Sequence, residues 1–203
     1  MADIEYSITY KPVNTVSVSL SPSFFAAQDN LQYVTTIEGN EPDNYIMAQL
    51  DSRQFSLEAR INVGITPDMS IQYYGQPFYF AGDYSKFKTI TDPDASGYYD
   101  RFHEYTSNEI QLDSENNVYN VDTDEKGTDF SFDNPDFHFL QYRSNLVFRW
   151  EYKPGSTFFL VWSQGRTTDG SEGTFMFKDY TKELRTTNPQ NDFLIKISYA
   201  IIF

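Results

Sequence analysis

Apolar and polar residues alternate with a period of two along most of this chain, and such alternation predicts β-strands. The predicted strands span residues 4–11, 16–21, 31–38, 45–50, 54–65, 71–81, 140–152, 158–164 and 193–203. Several of them reach the roughly 9–11 residues that a tilted strand needs to cross a bilayer. Strands of soluble sheets are usually shorter, about 5–6 residues. The pattern therefore predicts an all-β fold: an antiparallel up-and-down transmembrane β-barrel, with about nine of its strands in this chain.

The connections between the predicted strands are of two kinds. Three are short, place a proline just after an apolar strand end, and lie at residues 10–15, 65–70 and 152–157. Two are long and acidic, over residues 82–136 and 167–192. Because barrels of this class have short periplasmic turns and long extracellular loops, we expect the proline turns and the C-terminus at the periplasmic end.

The predicted strand directions leave the barrel incomplete. The first strand runs into the turn at Pro12 and the last runs toward Phe203, so both point to the periplasm. Two strands of the same direction cannot pair antiparallel, and bacterial single-chain barrels have even strand numbers. No leader is visible at Met1. We therefore expect residues 1–203 to be one barrel domain or barrel fragment, the C-terminal part of a larger exported protein.

Composition and charge narrow the classes of function. Aromatic residues make up 18% of the 203 residues, a content that a barrel wall uses for its lipid-facing surface and its girdles. The formal net charge of −14 argues against nucleic acid as a partner. The chain has no run of about 18 apolar residues, which excludes a transmembrane helix.

The last predicted strand has the pattern of the signal that outer-membrane insertion machinery reads. Its alternate apolar positions end in Tyr199, Ile201 and Phe203, which we predict to form that insertion signal. The predicted partners are accordingly the lipid bilayer and the insertion machinery. The predicted location is the outer membrane of a Gram-negative bacterium.

Six charged residues fall on the polar side of the predicted wall strands and are candidates for lining a lumen. They are Glu58, Arg60, Arg143, Arg149, Glu151 and Lys196. Charges of both signs recur on neighbouring strands, so pairing inside a narrow barrel is one interpretation. A wide, water-filled lumen would instead make them part of a channel.

Asp122, Asp124 and Asp129 are a candidate calcium site. Carboxylates on a loop that contains glycine supply the hard oxygen ligands that calcium takes. Lys126 stands where the EF-hand pattern expects a further carboxylate, and a solvated acidic loop is the alternative. No other cofactor is predicted.

Asp136 and His138 are spaced like the Asp-x-His dyad of some outer-membrane proteases, and Asp92 with Asp94 would supply a second pair. The strand alternation argues against this site. If Arg143 faces the lumen, Asp136 and His138 point to the opposite side. A serine–histidine pair has no recognisable signature either. We therefore predict that the protein is not an enzyme.

Eight aromatic residues are candidates for platforms on which sugar rings stack. They are Phe24, Phe25, Tyr73, Tyr79, Tyr84, Trp150, Tyr152 and Trp162. In a barrel most of them would belong to the girdles or to wall packing. As platforms they would make the chain a binding module whose loops capture a glycan or a partner outer-membrane protein.

The most distinctive stretch, Asn145–Thr157, reads Asn-Leu-Val-Phe-Arg-Trp-Glu-Tyr-Lys-Pro-Gly-Ser-Thr and continues to Gln164. Shorter motifs lie at Gln32–Val34, Thr66–Ser70 and Asn134–Phe137. Over nearly the whole chain the pattern resembles a C-terminal outer-membrane β-barrel domain of unknown function from Gram-negative bacteria. In those proteins a family-9-like carbohydrate-binding domain precedes the barrel. The resemblance implies a location and a fold, but no activity.

The sequence thus favours a non-catalytic outer-membrane β-barrel segment that is a transport or anchoring scaffold of a larger protein. The binding module is the first alternative. The second is a soluble all-β ligand-binding barrel of the lipocalin kind. A soluble barrel keeps its polar face outside, whereas the aromatic residues here favour an outward apolar face.

Overall fold

The computed structural model describes residues 1–38 and 43–201. The fold is all-β, with 68% strand and 7% helix. The strands are β1 (Ala2–Glu5), β2 (Ile8–Val13), β3 (Val16–Ile37), β4 (Asn44–Thr66), β5 (Met69–Ile90), β6 (Phe102–Glu104), β7 (Ile110–Asp113), β8 (Val118–Val121), β9 (Phe130–Asp133), β10 (Phe137–Lys153), β11 (Ser156–Gly170) and β12 (Gln190–Ser198). A 3-10 helix (Tyr98–Arg101) and the helix α1 (Phe177–Thr186) complete the described elements.

A large antiparallel sheet has the strand order β1-β3-β4-β5-β10-β11-β12, with β2 paired to β3 and β6 paired to β5. Strands β7, β8 and β9 form a separate sheet. Each strand of the order is antiparallel to the next, so β1 and β12 run in the same direction. In the described part of the chain these two do not pair, and no closed barrel is formed. The prediction of an all-β antiparallel fold is confirmed, whereas barrel closure stays a prediction.

The three predicted turns lie together at one end of the large sheet. They join Val13 to Val16, Thr66 to Met69 and Lys153 to Ser156. Strand β12 ends there too, since Ser198 pairs with Thr157. Gly155 has a φ of 75° in the third turn, a left-handed conformation that glycine adopts without strain. The grouping of the turns is confirmed, while the assignment of this end to the periplasm stays a prediction.

Four of the predicted strands are parts of two long ones. Residues 16–21 and 31–38 both belong to β3, and residues 45–50 and 54–65 both belong to β4. Extra residues in β3 shift its register against β4 between Asp29 and Gln32 and between Tyr33 and Thr35. Such bulges interrupt the alternation while the backbone continues in the sheet. The sequence pattern therefore indicated two short strands where there is one.

The two segments predicted as long loops are largely folded, so this prediction was wrong. Within residues 82–136, β5 continues to Ile90 and β6 to β9 follow. Within residues 167–192, β11 continues to Gly170 and α1 follows. In β5 the register shifts near Lys86, which has a left-handed φ of 50°. The extra residue there hides the alternation beyond it.

The register of the large sheet defines an apolar face and a polar face. One row of paired residues on the apolar face consists of Phe24, Phe55, Tyr79 and Leu140. The adjacent row, on the polar face, consists of Ser23, Ser56, Phe78 and Gln141. At the end opposite the turns, each face is covered by a different part of the chain.

The segment of residues 105–136, here called the cap, covers the polar face. Its core joins the upper parts of β4 and β5 to β8 and β9. The buried residues of this core are Ile46, Ala48, Phe87, Tyr105, Val121 and Phe132. Because alternate residues of a strand share a side, Ile46 and Ala48 lie on the same side of β4 as Ser56. The cap therefore closes over the polar face.

Helix α1 covers the apolar face. Tyr180 and Leu184 are 2% and 4% exposed and pack in one cluster with Tyr79 and Leu140. Phe177 adds an edge contact with the ring of Phe55, with centroids 5.1 Å apart. No helix in the described part of the chain is long and apolar enough to cross a membrane.

Candidate functional site

Between α1 and the turns, the apolar face is bare from β2 to β12. One of its rows consists of Tyr10, Val18, Ile61, Tyr73, Leu146, Trp162 and Phe193. The next row toward the turns consists of Val16, Val63, Ile71, Phe148, Leu160 and Ile195. Exposure reaches 70% at Phe193 and 66% at Ile197. The apolar face from the row of Trp150 to the row of Leu140 is called the apolar band below.

The height of the apolar band follows from strand geometry. Leu140 and Trp150 are ten residue steps apart along β10, which is about 33 Å at about 3.3 Å per residue. At a tilt of about 40° this gives about 25 Å, the height of the outward apolar band of outer-membrane barrels. Over this height, Arg166 is the one charged side chain that β3, β4, β5 and β10 to β12 place on the apolar face. Charges resume directly above it, at Arg53 and Asp51.

All six residues predicted to line a lumen project from the polar face: Glu58, Arg60, Arg143, Arg149, Glu151 and Lys196. Two ion pairs form among them. Arg60 lies 2.6 Å from Glu58, and Arg149 lies 2.8 Å from Glu151. The Arg60 guanidinium also lies 4.9 Å from the ring centre of Tyr74. The shared face agrees with the predicted alternation. Both ion pairs join residues of one strand, so pairing between strands and the lumen itself stay predictions.

Two grooves lie directly on bare strands of the polar face. The first, of about 410 Å³, is lined by Glu5, Tyr6, Ser7, Ser21, Ser23, Ser56, Glu58 and Gln76. The second, of about 130 Å³, is lined by Arg60, Asn62, Gln72, Tyr73, Tyr74, Asn145 and Val147. Arg143 pairs with Gln76 at the first groove, and Lys196 lies opposite Phe159. The strands form these grooves without a covering element.

The three predicted calcium ligands bond within their own loop. A main-chain N–H of the loop donates to Asp122 at 3.2 Å, and Asp124 pairs with Lys126 at 2.7 Å. Asp129 accepts the N–H and the hydroxyl of Thr123 at 2.9 and 2.7 Å. Nowhere in residues 1–38 and 43–201 do three or more acidic, histidine or cysteine side chains form a group that could hold a metal ion. The calcium site stays a prediction.

His138 lies on the apolar face, as the alternation predicted, and is 3% exposed beneath α1. Its Nδ1 is 3.1 Å from the carbonyl oxygen of Glu172, and its Nε2 is 3.3 Å from the carboxylate of Glu183. Asp136 instead accepts the N–H of Tyr84 at 2.7 Å, and burial raises the pKa of its carboxyl group. Asp136 and His138 therefore do not form a dyad.

The predicted insertion signal lies beyond the last strand. Strand β12 ends before Tyr199, so the strand predicted to continue to Phe203 is shorter than expected. Tyr199 and Ile201 are 62% and 69% exposed, and Phe203 lies outside the described residues. The N–H of Ala200 bonds to the hydroxyl of Ser156 at 3.0 Å, which draws the chain toward the turn. The insertion signal stays a prediction.

The eight aromatic candidates for sugar stacking are not brought to one surface. Four of them belong to the apolar band: Phe24, Tyr73, Trp150 and Trp162. Tyr79 is buried beneath α1, and Tyr84 packs on the cap core. Phe25 lies on the polar face, and the hydroxyl of Tyr152 bonds to Ser198 at the end of β12. Tyr79 is 3% exposed, which excludes it as a platform. Stacking of sugars on the other seven stays a prediction.

The alternation of the sequence did not predict α1 or the cleft beside it. The cleft has a volume of about 380 Å³ and is lined by Pro77, Tyr79, Tyr142, Gln164, Arg166, Thr181, Leu184 and Arg185. Arg166 donates to the carbonyl oxygen of Arg185 at 2.6 Å. The spacing of Phe177, Tyr180 and Leu184 at i, i+3 and i+7 is the signal that indicates this helix.

Hydrogen bonds within the cap hold the pKa of three carboxyl groups below their ordinary values. The main-chain N–H of Thr106 does so for Glu109, the side-chain amide of Asn116 for Asp113, and the main-chain N–H of Thr123 for Asp129. Burial acts against each of these shifts and is outweighed. The cap thus uses ionised carboxylates to fix its turns.

The comparisons with known proteins give no relative. No protein-family model matches the chain, and neither the curated proteins nor the solved structures contain a match. The resemblance drawn from the motifs around Arg149 and Trp150 therefore stays a prediction.

Proposed function

We propose that this chain is a non-catalytic segment of an outer-membrane β-barrel wall, a transport or anchoring scaffold of a larger protein. The apolar band carries the proposal. Monomeric soluble proteins rarely expose contiguous apolar patches larger than a few hundred Å². An apolar face about 25 Å high, bare below α1 and with a polar face behind it, has the dimensions of a lipid-facing wall. Lipid is the solvent that removes the cost of this exposure.

The polar face supports the same proposal. Both grooves lie on it, and all six charged candidates project from it. In the proposed orientation this face looks into the lumen, the cap lies at the extracellular mouth, and the proline turns lie in the periplasm. Ion pairs such as Glu58–Arg60 satisfy charges inside a wall of this kind.

Two neighbouring residues of β12 test the proposal. Ile195 belongs to the apolar band, next to Leu160, whereas Leu194 lies on the polar face, next to Val161. They are 64% and 56% exposed. We expect Ile195→Arg to raise the cost of insertion into phosphatidylcholine vesicles by about 2 kcal/mol, and Leu194→Arg by under about 1 kcal/mol. The measurement is the folded, protease-protected fraction at increasing denaturant.

Equal effects of the two arginine variants would reject a lipid-facing apolar band. So would a full chain that is a monodisperse monomer without detergent, which is the behaviour of the soluble alternative. Transport and anchoring differ in planar-bilayer conductance of the full-length protein. A bilayer that shows no conductance after insertion of the protein would reject the transport function and leave the anchoring function.

A groove of about 440 Å³ supports the binding-module alternative. It lies beside the cap and is lined by Leu31, Tyr33, Tyr45, Met47, Ile90, Pro93, Tyr98, Arg101 and Phe102. Its tyrosines Tyr33, Tyr45 and Tyr98 are about half exposed, at 52%, 48% and 46%. Such rings offer an apolar face with a polar edge, which suits a sugar ring.

Calorimetric titration with neutral oligosaccharides tests this alternative. We expect Tyr98→Ala to abolish the binding, and Tyr99→Ala, which changes a residue 80% exposed outside the groove lining, to leave it intact. An absence of binding, or an equal loss in both variants, would reject the groove as a sugar site.

A further inference from the structure

Cationic side chains collect along one flank of α1. Lys178, Lys182 and Arg185 are spaced at i, i+4 and i+7, which places them on one side of a helix. The other flank is acidic, with Asp179 and Glu183. The chain as a whole has a net charge of −14, so this flank is a local cationic patch on an acidic protein.

The contacts of α1 orient the two flanks relative to the sheet. Glu183 accepts the hydroxyl of Thr168 at 3.0 Å and faces His138, so the acidic flank points away from the turns. Thr181 and Arg185 line the cleft above the row of Pro77. The cationic flank therefore faces the apolar band.

Arg166 extends this cationic flank onto the sheet itself. It is the one charged residue that the long strands place on the apolar face over the height of the band. Its Nη1 donates to the carbonyl oxygens of Leu184 and Arg185 at 3.4 and 2.6 Å. The guanidinium is thereby fixed at the upper border of the band, directly beside the flank.

The cleft between this flank and the sheet is apolar below and cationic above. Pro77, Tyr142 and Leu184 supply apolar lining, and Arg166 and Arg185 supply the charges. The open surface of α1 continues the cleft past Lys178, Asp179 and Lys182 and shares Thr181 and Arg185 with it. Together they form one site with a charged rim over an apolar floor.

We infer that this site binds an anionic, phosphate-bearing lipid of the surrounding bilayer, an inference that rests on the proposed function. The headgroup phosphate lies between Lys182, Arg185 and Arg166, because guanidinium and ammonium groups are the usual donors to phosphate. The acyl chains run from the cleft along the apolar band. A lipid matches both halves of the site, whereas free phosphate matches only the rim.

The test removes two charges without removing the helix. The full chain in nonionic detergent is titrated separately with phosphatidylglycerol and phosphatidylcholine, and bound lipid is counted by native mass spectrometry. We expect phosphatidylglycerol to bind more tightly. The double variant Lys182→Gln/Arg185→Gln weakens phosphatidylglycerol binding about tenfold to thirtyfold and leaves phosphatidylcholine binding unchanged.

The matched control is Lys126→Gln/Arg143→Gln, which removes the same net charge from the cap and the polar face. It keeps the preference for phosphatidylglycerol. An equal affinity for both lipids, an equal loss in the control, or full displacement by inorganic phosphate would overturn the inference. Failure of the arginine test on β12 with a preserved lipid preference would instead count against the proposed wall, so the two failures are distinguishable.

Discussion

The cap core and the apolar band both use hydrophobic residues of the long strands β4 and β5, yet they differ in what covers those residues. In the cap core, Ile46, Ala48 and Val121 are fully buried, because the small sheet β7–β9 closes over β4 and β5. In the apolar band, Ile61 and Leu160 are 36% and 39% exposed. Hydrophobic residues are thus not a guide to burial in this sheet, and the presence of a covering layer decides it.

The comparison also separates two sources of stability. The cap core gains the free energy of removing apolar side chains from water within the chain itself. The side chains of the apolar band stay largely in contact with water when the chain folds alone, so they gain little of this free energy. Under the proposed function they gain it on transfer from water to lipid. Variants that affect one region and spare the other test this separation.

The largest expected effect follows from emptying the cap core. Phe87 is 4% exposed, and its ring lies 4.5 Å from that of Tyr119 and 5.4 Å from that of Phe132. We expect Phe87→Ala to lower the free energy of unfolding of the cap by about 3–5 kcal/mol. Hydrogen exchange of β8 and β9, followed by mass spectrometry, measures it.

The matched variant in the apolar band is Phe148→Ala, with an expected cost of about 1 kcal/mol in detergent because this side chain is only partly buried. Comparable losses for the two phenylalanine variants would show that the band is covered as thoroughly as the cap.

The next effect concerns α1, which covers the upper border of the apolar band. His138 is buried against the carboxylate of Glu183, so His138→Ala removes a buried contact and leaves that carboxylate without it. We expect a local cost of about 1–3 kcal/mol, seen as faster hydrogen exchange in residues 177–186. His103→Ala, which breaks the more exposed pair with Glu109, serves as the control and leaves this segment unchanged.

A smaller effect is expected at the β10–β11 turn, at the foot of the band. Gly155→Ala forces a side chain into a left-handed conformation and brings its Cβ to 3.0 Å from that of Ala200. The expected cost is about 1–2 kcal/mol, read from the unfolding transition of Trp150 and Trp162 fluorescence. Gly165→Ala, in β11 with open space around it, is the control, and a loss as large there would contradict the account of the turn.

The smallest expected effect is that of acid on stability, which differs between the cap and the apolar band because the carboxylates with lowered pKa lie in the cap. The pKa of Glu109, Asp113 and Asp129 is held low in the folded cap, so their stabilising effect is present above the unfolded pKa. It is lost as the pH falls through the folded value. Asp136, whose pKa is raised by burial, opposes this in part. We expect acid to loosen the cap by near-ultraviolet circular dichroism before the tryptophan signal of the band changes, and Glu109→Gln to reduce the difference.

Much of the sheet could be predicted from the sequence, because period-two alternation shows which side chains of a strand share its apolar face. It located the two faces, the turns and the six charged residues of the polar face. The prediction failed where a bulge interrupts the alternation. The bulges of β3 and the left-handed Lys86 of β5 each insert one residue, so a continuous strand loses its phase.

The cap and α1 could not be read from the sequence for a different reason. Strands β7 to β9 are four residues each, too short for alternation to be distinguished from chance. Their partners, Ile46 and Phe87, are distant in the sequence. The candidate lipid site depends on the same tertiary placement, since Arg166 meets Arg185 only when α1 folds back onto β11.

The free edges of the large sheet affect how the chain behaves in water before it is assembled. Strand β12 and the paired β1 and β2 each leave a row of main-chain groups unbonded in the described sheet, beside exposed side chains such as Ile8 and Ile197. Edges of this kind template sheet growth between molecules. The time that one copy spends alone in water, and the number of copies around it, therefore set how much of the protein assembles correctly and how much aggregates.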